Sequence, residues 1–153
     1  MTLLELLVST IILVAISLVS VREVSMRIAL NEHSRAVSWA MADADRVMEH
    51  LRGQNIGCVT PSAAPPPNPP GPDFASWDAW LADTSANGGG GKNLQALGGL
   101  NEVVQVLPAG GPDPVGVTVA VCWTHRNRAI GDCDATDGAI SSPVMLSTTL
   151  TCR

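Results

Sequence analysis

Two hydrophobic patterns follow one another at the start of the chain. From Met1 to Val21 nearly every residue is apolar and Glu5 is the one charge. Beyond Arg22 the charges return. Val37, Ala40, Met41, Ala44, Val47, Met48 and Leu51 then recur at three- and four-residue intervals, with Asp43, Asp45, Arg46, Glu49 and Arg52 at the remaining positions. That spacing predicts a helix with one core-facing stripe. No proline interrupts residues 1–52, and Gly53 and Gly57 supply a C-terminal stop. The whole stretch therefore reads as one helix of about 50 residues, about 75 Å long. A head built from the rest of the chain is too small to bury such a rod. Its N-terminal half needs a membrane or other copies of itself.

After the helix the pattern breaks. Residues 59–72 are dense in proline, which removes a backbone donor and fixes φ, so they read as an extended connector. Phe74, Trp77, Trp80 and Leu81 have the spacing of one face of a short helix, a lid on the core of the head. Asn87 to Gly91 reads as a flexible loop. The following Lys92 lacks the Ser or Thr of a phosphate-binding loop. Strands are predicted at 102–107, 115–123 and 144–151. The second alternates Val117, Val119 and Val121 on one side with Thr118, Ala120 and Cys122 on the other. Strands following one long helix predict an α+β fold, with an antiparallel sheet laid on the helix's C-terminal half.

Composition narrows the chemistry. The chain has 153 residues, 14 Gly, 11 Pro and a net charge of −5, so nucleic acid is not an expected partner of the surface as a whole. The basic group His125, Arg126 and Arg128 reads as a solvated turn leaving a strand. Cys58, Cys122, Cys133 and Cys152 all fall in the head, and an even number in a small exported domain reads as two disulfides. Four cysteines allow three pairings. The favoured one is Cys122 with Cys133, closing a short loop, and Cys58 with Cys152, tying the end of the helix region to the C-terminus. A thiolate zinc site is disfavoured, because no C-x-x-C pair occurs and the histidines are scattered. Asp132, Asp134 and Asp137 form an acidic loop that could attract Ca²⁺ but is not an EF-hand. No catalytic constellation appears, so the chain does not read as an enzyme, and no cofactor is expected.

Glu5 is the anomaly of the apolar segment. An ionised carboxylate in hydrocarbon costs about 3 kcal/mol or more, so it demands a partner. The amine of Met1 is the nearest, about 6 Å along a helix axis, and a neighbouring copy could supply an equivalent one. A signal peptide would carry a basic n-region, and nothing basic precedes Arg22. A plain anchor would suit the 16 uncharged residues from Leu6 to Val21 but leaves Glu5 unexplained.

The run Thr2-Leu3-Leu4-Glu5-Leu6-Leu7-Val8 resembles the mature N-terminus of type IV pilins and type II secretion pseudopilins. Two departures stand out: Met1 where the family most often has Phe, and Arg22 where many members have Pro. The resemblance implies the pilin fold and cleavage before Met1 by a prepilin peptidase, with methylation of the new amine and Glu5 as the hallmark acid of assembly. It divides the chain into residues 1–24, for membrane anchoring and the filament core, and a head of residues 25–153. It implies a homo-oligomeric helical filament, held in the inner membrane before assembly and extracellular afterwards. A separate machinery with its own ATPase would extend it, in adhesion, motility or secretion. Cys122 to Arg126 and Ser147 to Leu150 look like the final strands of minor pilins of the PilV type. A minor pilin or a pseudopilin is the alternative within the class, and a membrane-anchored binding or adhesion domain is the alternative outside it. With Trp39 the only aromatic residue before Phe74, aromatic electron transport along the helix is not expected.

Overall fold

A computed structural model describes residues 2–53, 73–96, 100–109, 114–125, 127–133 and 140–151. The chain forms two compact units, Met1–Ala36 and Val37–Arg153. One helix, α1 (Leu3–Gly53), belongs to both.

In the first unit every described side chain from Thr2 to Arg35 is exposed. The hydroxyls along it return to the helix's own carbonyls. Ser9 donates to Glu5 O at 2.8 Å, Thr10 to Leu7 O at 2.9 Å, Ser17 to Leu13 O at 2.8 Å and Ser20 to Ile16 O at 3.0 Å. Such back-bonding removes their need for outside partners and suits a helix destined for apolar surroundings.

In the second unit α1 buries Ala40, Asp43, Ala44, Val47, Met48 and Leu51. This stripe is rotated from the expected one. Val37 is only half-buried, Met41 is 40% exposed, and Asp43, placed by its charge on the polar side, is 0% exposed. The reason is tertiary: donors from Arg46 and from the distant Asn93 meet the Asp43 carboxylate inside the core.

The sheet is antiparallel throughout. Its central strand is β2 (Val115–His125), paired along one edge with β1 (Asn101–Pro108) and along the other with β4 (Val144–Leu150) and β3 (Arg128–Ile130). Strand β3, unread in the sequence, is three residues long, and its register pairs His125 with Arg128 across a two-residue turn. Asn127 takes a φ of 61° there, a conformation Asn tolerates better than most residues. Register places Glu102, Val104, Val119, Val121, Trp123, Val144 and Thr148 on one face. That face meets α1, because Arg52 reaches the Thr148 hydroxyl and Asp43 lies against Glu102. On the opposite face Ala120, Cys122 and Cys133 form a second small cluster with Ile140.

Two short helices cover the free side of β1. Helix α2 (Trp77–Ala82) is capped by Ser76, whose hydroxyl accepts from Ala79 N–H at 3.1 Å, and it buries Trp77, Trp80 and Leu81. Helix α3 (Asn93–Ala96) follows the glycine run. That run is not the free loop expected from its composition. Gly89 N–H donates to Trp80 O at 2.8 Å and Gly91 N–H to Leu81 O at 2.9 Å. A side chain at Gly89 would come within 2.7 Å of Leu81 Cα, so the close approach requires glycine.

Candidate functional site

Glu5 sits in the first turn of α1. Its N–H donates to Thr2 O at 3.0 Å, and among the described residues no cation pairs with its carboxylate. Met1, its expected partner, lies outside the described residues. Around Glu5 the helix exposes Leu3, Leu4, Leu6, Leu7, Val8, Ile11, Ile12, Leu13, Val14, Ile16, Leu18, Val19 and Val21, with Val24, Met26, Ile28 and Leu30 continuing the series. At 100° per residue the positions from Leu3 to Val21 go all the way round the helix and leave no polar face, whereas Arg22, Glu23 and Arg27 interrupt the series beyond it. The helix is long and apolar enough to cross a membrane.

The head holds a charged cluster that the sequence reading missed. Asp43 accepts from Arg46 Nη2 and, at 2.8 Å each, from Asn93 N–H and Asn93 Nδ2. Arg46 also donates to Gly89 O at 2.7 Å and Gly91 O at 2.8 Å, which fixes the glycine run against α1. Lys92 Nζ donates to Asp78 Oδ1 at 2.6 Å and to Glu102 O at 2.7 Å, while Val104 N–H donates to the same Asp78 oxygen at 2.9 Å. The Asp78–Lys92 pair therefore satisfies backbone groups on the outer edge of β1, where an exposed edge would invite another strand. Glu102 is buried, with no donor on either carboxyl oxygen. Burial, and next the charge of Asp43, pushes its carboxyl up to about 8.

Two signals could have revealed this cluster. Asp43 stands three residues after Ala40 and four before Val47, so it shares their stripe. Glu102 shares a strand face with Val104 and Val106 by simple alternation.

Cys122 and Cys133 are disulfide-bonded with a Cα–Cα distance of 5.8 Å, the short-loop pairing of the sequence reading. Gly131, at φ 84°, lies so close that a Cβ would come within 2.9 Å of Cys122 Sγ. The other expected pair, Cys58 with Cys152, lies outside the described residues. Asp132 is exposed and its backbone bridges to Ser141, with N–H to O at 2.6 Å. Its expected companions Asp134 and Asp137 lie outside the described residues, and among those described no three His, Cys, Asp or Glu side chains are grouped to hold a metal ion. His125 is half-buried at the end of β2 and Arg128 is exposed, while Arg126 lies outside the described residues. Beside the glycine run, α1 and α2 border a groove of about 560 Å³ where His50 packs on Trp80 with ring centroids 4.7 Å apart.

No protein-family model, curated protein or solved structure matches this chain.

Proposed function

We propose that this protein is a subunit of a type IV pilus-like filament, held in a membrane by the first part of α1 and polymerised through it. The observation that carries the reading is the all-round apolar surface of residues 3–21 beside one acid at position 5. Burying a Leu, Ile or Val contributes roughly 1.5–3 kcal/mol. For the thirteen exposed side chains of this kind from Leu3 to Val21, that is roughly 20–40 kcal/mol of burial left unrealised in water. Water is therefore not the medium of this helix. An amphipathic helix resting on a membrane surface would keep a polar face, and this one has none.

Exchanging lipid for neighbouring helices yields little hydrophobic gain, so assembly specificity must come from close packing and from Glu5. In this reading Glu5 pins the axial register by pairing with an ammonium of an adjacent copy. The repeated contact is heterologous and does not close, which generates a filament.

The test is mass spectrometry of filaments sheared from producing cells, reading abundance and N-terminal mass, together with the variant Glu5→Gln. An abundant chain with a methylated first residue is expected from the wild type. The variant should insert into membranes normally and lose at least about tenfold in filament yield, the loss of a charge pair worth about 1.4 kcal/mol or more per tenfold step. Trace amounts in the filament would indicate a minor pilin. Normal yield from the variant, or a chain found only in membranes, would defeat the proposal.

A further inference from the structure

Glu102 is the one head carboxyl among the described residues that is both buried and without a donor: it is 2% exposed, and nothing bonds to either oxygen. The charged groups facing it are Asp43 from α1, Asp78 from α2 and Lys92 from the segment leading into α3. Across the sheet its partner on β2 is the neutral Trp123. Both nearby cations are committed elsewhere. Lys92 is held by Asp78 and by the Glu102 carbonyl, and Arg46 by Asp43, Gly89 O and Gly91 O.

Two carboxyls thus share one enclosed site with too little positive charge for both to ionise. Asp43 has donors from Arg46 Nη2, Asn93 N and Asn93 Nδ2. Glu102 has none, so it keeps the proton. We propose that the Asp43–Glu102 pair is a proton-held latch that clamps the Gly88–Asn93 segment on α1 and releases it when the proton is lost.

The clamp consists of the contacts that a second buried charge would disturb: Asp43 to Asn93, and Arg46 to the two glycine carbonyls. Gly88 and Gly89 also form one wall of the groove that contains His50 and Trp80, so deprotonation would reshape that surface as well. The sign follows from linkage. The folded head holds the Glu102 proton to about 8, whereas an ordinary glutamate releases it near 4.5. The stabilisation is complete below the lower value and is lost as pH rises to the upper one.

The test uses the full chain in detergent micelles, with carbon-13 detection of the glutamate carboxyls and of the amides of Gly88 to Gly91. One carboxyl should titrate with a midpoint of about 8. The glycine amides should move with the same midpoint, and the thermal midpoint of the head should fall as pH rises from about 4.5 to about 8 and level off above it. In Glu102→Gln the movement of the glycine amides and the fall in thermal midpoint should both disappear. A Glu102 carboxyl that titrates in the ordinary range, or glycine amides that ignore its titration, would overturn the latch. Should Glu102→Gln fail to fold, the wild-type titration decides by itself.

Discussion

Residues 3–35 and 40–51 belong to the same helix, yet they solve the burial problem in opposite ways. The first segment is apolar on every side through Val21, and every side chain in it is exposed. The second segment buries one stripe and includes a carboxylate in it. Continuous backbone hydrogen bonding lets both form helix without regard to surroundings, since each peptide group is satisfied within the helix itself. What differs is where the partner is. For residues 40–51 it is the head of the same chain, and for residues 3–21 it must come from outside.

The sharpest way to break this contrast is to remove Asp43. Asp43→Ala removes the acceptor of the Asn93 amide and one of the three acceptors of Arg46, which keeps the Gly89 and Gly91 carbonyls, in a site where Asp43 is 0% exposed. Because Arg46 is a third exposed, the loss falls at the low end of that for a buried pair, about 3 kcal/mol. Denaturant melts of the head should register that loss, while the helicity of residues 3–21 in micelles stays unchanged.

A smaller effect is expected from opening the disulfide with the double change Cys122→Ser and Cys133→Ser. The bridge spans a sequence separation of 11, for which loop-closure entropy predicts about 3 kcal/mol or somewhat less. Denaturant midpoints of the oxidised and variant proteins measure it directly.

The smallest effect should come from the other end of the comparison. Leu13→Ala, at a position 67% exposed, should alter head stability by less than about 0.5 kcal/mol in the same assay. A large loss there would mean that the apolar segment is packed by its own head, and the division between inner and outer partners would collapse.

Much of this architecture was legible along the chain. The unbroken helix, the short aromatic helix around Trp77 and Trp80, and three of the four strands follow from periodicity and from the positions of Pro and Gly. Strand β3 escaped because Arg128-Ala129-Ile130 is too short to display an alternation, and it is defined by its pairing with β2. The glycine run was misread for a related reason. Composition reports how many conformations glycine permits, and not the contacts with Trp80, Leu81 and Arg46 that select one of them. Asp43 and Glu102 were passed over because charge was taken as a sign of exposure. Their positions within the apolar repeats carried the correct information.

By itself the sequence determined the features that depend on local chemistry: an N-terminal segment apolar on all sides, a single acid within it, a helix that no proline interrupts, and an α+β order of elements. Only the tertiary structure decided which helix face turns inward, and that the core there accommodates two carboxyls and an arginine. The burial of a charge depends on whether donors converge on it in space. Those donors come from residues as far apart in the chain as Arg46 and Asn93, so their convergence exists only once the head has folded.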